Sequence, residues 1–184
     1  LNVDGMSGRK MVHPTRSQKH TRQILFVYGI HGNMERFYGI VHFLARYGTV
    51  TMPDLPGFGG METFYKIRKK PNFDAYADYL ADFVTKNYKD TKITIAGLSY
   101  GFVVATRMLQ RHPELCDQVE LIVSVMGLAD SNNLSISTPR RWFFRFLLML
   151  CRHQPFIWFF NKVLFSERWL SRTYRPDHPK MLEL

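Results

Sequence analysis

An α/β fold is predicted, with a mostly parallel sheet covered by helices on both faces and a helical segment after it, on three observations. Residues 23–28 (QILFVY) are a continuous apolar run of strand length without in-out alternation, as in a strand buried on both faces, and 49–52, 93–96 and 119–126 are further short apolar or β-branched runs. Segments with helical spacing separate consecutive runs, which is the order that parallel pairing requires. At 184 residues, 46% hydrophobic and 15% aromatic, the chain has ample material for one packed core.

Residues 1–22 are polar and basic, with Gly5, Gly8 and Pro14, and within them only residues 10–13 suit a short strand. They are expected to form an arm or an edge hairpin. After the first strand, Gly29-Ile30-His31-Gly32-Asn33 makes a loop, and residues 34–47 form a helix through Phe37, Ile40, Val41, Leu44 and Ala45, with Gly48 as its C-cap. Residues 53–60 (PDLPGFGG) hold too much Pro and Gly for regular structure, and 61–70 are a basic insertion. A helix over 72–88 starts at the N-cap Asn72, with Phe73, Tyr76, Ala77, Leu80, Phe83 and Val84 on one face and Asp74, Asp78 and Asp82 opposite. The third strand runs through a serine turn into a helix ending near Arg111, and after a turn at 112–114 residues 119–126 form another buried strand.

From Gly127 the composition changes. Residues 130–139 are a polar loop, followed by aromatic-rich helical pieces broken at Pro155 and Ser166. The organisation expected is an arm (1–22), a core (23–130) and a basic helical segment (131–184). The net charge of +10 belongs to the ends: five cations face one anion in residues 1–22, and nine face three in 139–184. No nucleic-acid module matches this pattern, so no nucleic-acid partner is expected. Cys116 and Cys151 form neither a disulfide framework nor a metal-ligand spacing. No metal and no cofactor are therefore assigned, and a reducing, cytoplasmic compartment is the default. No apolar stretch reaches the roughly 18 residues of a membrane span, because Arg145, Arg152, His153 and Lys162 interrupt the greasiest region.

The chemistry centres on Gly97-Leu98-Ser99-Tyr100-Gly101. A serine on a sharp strand-to-helix turn, with glycines where side chains would collide, is a nucleophile elbow, and the N–H after it lies at a helix N-terminus. Three motifs stand in order, each at a strand end: Gly29-Ile30-His31-Gly32-Asn33, Asp54-Leu55-Pro56-Gly57-Phe58-Gly59, and the serine turn. Together they resemble the α/β-hydrolase fold family, of the branch with an H-G motif, a D-x-P-G-x-G loop and a helical cap. The resemblance implies Ser99 as the catalytic nucleophile and the N–H groups of Tyr100 and Asn33 as the oxyanion hole. Asn33 also reads as a helix N-cap, and both roles are compatible. His31 reads as a loop-shaping residue and Asp54 as a turn-forming carboxylate.

In that family an acid and a histidine follow the nucleophile on loops beyond the cap. This chain opens with Leu1 and ends inside the cap-like segment, so it reads as an N-terminal portion whose base and acid lie beyond residue 184. Asp130 reads as a loop or cap-hinge residue, with catalytic acid as the alternative. Phe102 stands where many relatives have a second glycine.

Function is therefore expected as a serine hydrolase acting on an ester or related acyl substrate with an apolar acyl part, through an acyl-enzyme on Ser99. The alternative is a non-catalytic or truncated hydrolase-fold binding protein. The partner expected is a small-molecule acyl substrate. The aromatic stripe from Trp142 to Phe160 reads as a lid over an acyl pocket, as core packing, or, with Arg140, Arg141, Arg145 and Arg152, as a patch in peripheral contact with an anionic membrane.

Overall fold

A central strand, β4 (Arg22–Val27), organises the sheet: Leu25, Phe26 and Val27 are fully buried, and β5 (Gly48–Pro53) and β6 (Ile93–Leu98) pair with it on either side. The computed structural model describes residues 1–127, except Gln18, His20, Ile30 and His31, together with Trp142 and Phe146. All the elements below belong to one compact unit, Leu1–Asn133. The expected helical segment 131–184 and Asp130 lie outside the described residues, apart from Trp142 and Phe146.

Five strands run in the order β3 (Lys10–His13), β5 (Gly48–Pro53), β4, β6 (Ile93–Leu98), β7 (Val119–Val125). All pairings are parallel except β3 with β5. From β4 to β5 the chain steps one way along the sheet, and from β5 to β6 and on to β7 it steps the other way. Right-handed crossovers then put α1 (Tyr38–Leu44) on one face and α2 (Phe73–Asn87) and α3 (Tyr100–Arg111) on the opposite one. The sheet is thus mostly parallel with helices on both faces, as expected.

The N-terminal segment is more ordered than its composition suggests. β1 (Asn2–Val3) and β2 (Met6–Ser7) form a hairpin whose two turn residues, Asp4 and Gly5, have φ of 51° and 78°. This is the Asp-Gly turn that matches strand twist, and it lets Val3 and Met6 bury completely.

Two local expectations need correction. The helix expected over 34–47 is a 3-10 turn (Glu35–Phe37) followed by α1, broken at Phe37, whose ring stacks on Tyr28 at 5.6 Å and 13°. Gly48 is not its C-cap but the first residue of β5, opposite Arg22, where an added Cβ would lie 2.2 Å from the Arg22 carbonyl oxygen. The other concerns β7, which sits at the margin of the described sheet with Leu121 49% and Val123 38% exposed, so it is not buried on both faces.

α2 begins as expected, with Asn72 Oδ1 accepting from the Ala75 N–H at 2.8 Å. Tyr76, Ala77, Leu80, Phe83 and Val84 are buried, as are Tyr79 and Ala81, whereas Phe73 is half exposed. The acidic face of α2 turns toward α3: Arg107 meets Asp74 at 2.7 Å and Arg111 meets Asp78 at 2.8 Å. These contacts clamp the elbow helix along the sheet.

Candidate active site

Ser99 joins β6 to α3 with φ +50° and ψ −112°, a backbone conformation that side-chain-bearing residues rarely adopt. Its neighbours explain the constraint. A Cβ on Gly101 would fall 2.1 Å from the Val27 carbonyl oxygen and 2.6 Å from that of Tyr28, so α3 can approach the central strand closely only with glycine there. A Cβ on Gly97 would fall 2.4 Å from the Phe102 Cα. The Ser99 N–H donates to the Val125 carbonyl at 3.0 Å, and its own carbonyl accepts from the Phe102 N–H at 3.1 Å. Backbone on both sides therefore holds the turn.

The side chain itself is exposed and makes no cap hydrogen bond. The Tyr100 N–H belongs to the first turn of a twelve-residue helix, where donors lack an intrahelical acceptor and the helix end carries partial positive charge. The Tyr100 ring packs against Phe73 and Tyr76 at 5.3 and 5.6 Å. Burial, and then the neighbouring Tyr76, push its hydroxyl up to about 12, so it stays protonated at neutral pH.

The loop after β4 lies alongside. A Cβ on Gly29 would come within 3.5 Å of the Ser99 Cβ. Asn33 Oδ1 accepts from the Arg36 N–H at 3.0 Å, so its side chain caps the following turn while its own N–H is not used by that cap. His31 lies outside the described residues.

Among the described residues no side chain hydrogen-bonds the Ser99 hydroxyl, and no three His, Cys, Asp or Glu side chains converge as metal ligands. His112, at the end of α3, is engaged with Asp78 at 2.9 Å, remote from the strand tips. A cleft of about 580 Å3 opens between α2 and α3, walled by Phe73, Phe102, Thr106 and Arg107. It starts one turn beyond Ser99 and does not include it.

A family model described as alpha/beta hydrolase fold matches residues 23–152. The chain belongs to the α/β-hydrolase fold family. Among solved structures it is similar to a thermophilic esterase from Thermogutta terrifontis, with 21% identity and a TM-score of 0.60 over 95% of this chain and 58% of that one. The epoxide hydrolase CorEH matches with 16% identity and a TM-score of 0.64 over 92% and 56%. A membrane phospholipase A described as a bacterial virulence factor matches with 22% identity and a TM-score of 0.55 over 70% and 38%. At these identities the likeness is one of fold. The chain spans between about two fifths and three fifths of the length of these structures, and no curated protein matches its sequence.

Within this hydrolase-fold unit, the D-x-P-G-x-G loop is organised by the Asp54 carboxylate, which is completely buried. Oδ1 accepts from the Tyr28 hydroxyl at 2.8 Å, and Oδ2 accepts from Arg9 Nε at 2.9 Å and the Gly60 N–H at 2.8 Å. The Asp54 carbonyl accepts from the Tyr79 hydroxyl at 2.9 Å. Burial is the first cause that pushes Tyr28 and Tyr79 far above the ordinary tyrosine range, so both remain donors. Asp54 is the turn-forming carboxylate expected from the sequence, but its partners Tyr28 and Arg9 were not foreseen. A buried tyrosine at a strand end and one arginine among the five cations of a polar arm carry no local signal of pairing.

Proposed function

We propose that the chain carries the nucleophile and oxyanion donors of a serine hydrolase acting on an ester or related acyl substrate. The observation that carries this reading is Ser99 itself: an exposed hydroxyl on a strained backbone, at a helix N-terminus, beside the loop of Asn33. Strain of this kind, of about 1–3 kcal/mol, persists where the surroundings over-determine it, and clusters at functional sites.

In the reaction, Ser99 Oγ bonds to the acyl carbon and its proton leaves to a base that the described residues do not include. The carbonyl oxygen becomes an oxyanion facing the Tyr100 and Asn33 N–H groups, each contributing about 3 kcal/mol of transition-state stabilisation. Collapse breaks the bond to the leaving alcohol, which takes the proton, and water then hydrolyses the acyl-enzyme by the same route. A serine at the elbow disfavours epoxide or haloalkane opening, which needs a carboxylate nucleophile. The apolar acyl part, a lid over it and peripheral membrane contact rest on the aromatic stripe from Trp142 to Phe160, which the described residues do not cover apart from Trp142 and Phe146. Among the described residues no helix is long and apolar enough to cross a membrane.

The test is labelling of the full-length protein with a fluorophosphonate probe, alongside turnover of p-nitrophenyl butyrate. Labelling that Ser99→Ala removes supports the reading. A protein that neither labels nor turns over the ester overturns it and favours a binding role for the fold.

A further inference from the structure

The arm and the D-x-P-G-x-G loop converge on one point that the reaction above leaves unexplained. Arg9 lies between β2 and β3, and its guanidinium is shared between two carboxylates from different parts of the chain. Nε and Nη2 face Asp54 Oδ2, each at 2.9 Å. Nη1 reaches Glu35 Oε1 at 2.7 Å, and Nη2 reaches Glu35 Oε2 at 3.4 Å. The backbone of the same residue is tied in as well, since its carbonyl accepts from the Asp54 N–H at 3.1 Å. Gly60 leaves room for this packing, because a Cβ there would fall 2.4 Å from Arg9 Nε.

Glu35 opens the 3-10 turn, two residues after Asn33 and with Met34 between them. That turn is held from its other end too. Phe37 stacks on Tyr28, whose hydroxyl donates to the same Asp54 carboxylate. Two routes, one through Arg9 and one through Tyr28, thus connect a single buried anion to both ends of Glu35–Phe37, and the Asn33 side chain caps the middle by accepting from the Arg36 N–H. These restraints act on the backbone that follows Asn33.

We propose that Arg9 is a positioning residue of the oxyanion loop, transmitting the fixed position of the Asp54 carboxylate through Glu35 to the backbone at Asn33. Its catalytic consequence rests on the serine-hydrolase reading above. The charge states agree with the geometry: hydrogen bonding to Arg9 holds the Glu35 carboxyl below the usual range, and hydrogen bonds to Glu35 and then Asp54 raise the Arg9 guanidinium further. A planar fork presents its donors in fixed directions and fits this shared role, whereas an ammonium is a point charge on a flexible stem.

The test compares wild type, Glu35→Gln, Arg9→Lys and Arg9→Met in two readouts, amide hydrogen exchange and the second-order rate of fluorophosphonate labelling at Ser99. Glu35→Gln leaves the buried Arg9–Asp54 contact in place, so it remains informative if Arg9→Met fails to fold. In Glu35→Gln the Arg36 and Phe37 amides are expected to exchange about two- to five-fold faster, the range for losing one exposed ion pair, with strand amides such as that of Ile95 unchanged. Labelling should slow by a similar factor, and for ester turnover kcat should fall with KM unaltered. Arg9→Lys should restore folding to near wild type without restoring loop exchange or labelling. Unchanged exchange at Arg36 and Phe37 in Glu35→Gln overturns the proposal, and so does faster exchange with an unaltered labelling rate. A wild type that does not label at all instead sinks the hydrolase reading and the catalytic role with it, an outcome distinct from equal labelling of all four proteins, which sinks the positioning role alone.

Discussion

Replacing Ser99 with glycine separates a nucleophile from a turn residue. Ser99 holds φ +50° and ψ −112°, a region that costs a side-chain-bearing residue about 1–3 kcal/mol. Nothing in its side chain offsets that cost, because the hydroxyl is exposed and makes no cap hydrogen bond. Glycine removes the strain but makes the unfolded chain more flexible, which costs roughly 0.5–1 kcal/mol. The difference leaves Ser99→Gly more stable than wild type by about 1 kcal/mol. Ser99→Ala keeps the Cβ and the strain, so its stability should match wild type. Urea unfolding followed by intrinsic fluorescence measures this as a higher midpoint for the glycine variant alone, at unchanged slope. Both variants should lose fluorophosphonate labelling. A glycine variant less stable than both others would show that the serine side chain holds the turn, and would refute the assignment of strain to function.

The opposite outcome is expected two residues on. Gly101→Ala puts a methyl 2.1 Å from the Val27 carbonyl oxygen, so overpacking of about 1–3 kcal/mol outweighs the gain of up to about 1 kcal/mol in helix propensity; an unchanged urea midpoint would contradict this. Asn72→Ala removes the acceptor for the Ala75 N–H and should lower stability by about 0.5–2 kcal/mol, read as a shift in thermal midpoint. Asp54→Asn loses one acceptor among buried donors and should cost about 1–3 kcal/mol in the same assay; a neutral result would remove Asp54 from its place as anchor. Hydrogen bonds from Arg107 and Arg111 hold Asp74 and Asp78 below the usual carboxylate range. A depressed carboxylate contributes stability above its unfolded pKa of about 3.9 and loses it as pH falls through the folded value. The gap in thermal midpoint between wild type and Asp78→Asn should therefore be open at pH 7 and close in strong acid, and a gap constant with pH would exclude the ion pairs as its cause.

Apolar and β-branched runs of strand length made β4, β5 and β6 legible, and helical spacing made α2 and α3 legible, because each buries the residues that form the pattern. The serine turn was legible for a steric reason, since Gly97 and Gly101 are required by backbone atoms 2.1 to 2.7 Å from their missing side chains. Gly48 misled because a glycine after a helical segment is read as a cap, whereas here it answers the Arg22 carbonyl on the neighbouring strand. That contact has a sequence separation too large for any local pattern to report. The β1–β2 hairpin had a local signal, the Asp4-Gly5 pair, within a segment whose charge and composition left an arm and an edge hairpin both open. Arg9 had none, because its meaning depends on Glu35 and Asp54, respectively 26 and 45 residues away.

The pairing of Arg9 also decides what the acidic residue of the D-x-P-G-x-G loop can do. A triad acid must accept a hydrogen bond from an imidazole N–H, which needs an accessible lone pair on the carboxylate. Asp54 is 0% exposed. Its Oδ2 already receives Arg9 and the Gly60 N–H, and Oδ1 receives Tyr28. The backbone of the loop closes what remains, since Gly59 turns back over the carboxylate at φ +55°, where a Cβ would lie 2.4 Å from both oxygens. Oδ2 is thus filled by its donors, and Oδ1 is closed to an imidazole by burial and by the Gly59 backbone; displacing a donor to open the carboxylate would leave that donor unpaired at a cost of about 1–3 kcal/mol. Its charge therefore acts through position, by drawing the arm, the loop and the end of β4 to one buried point.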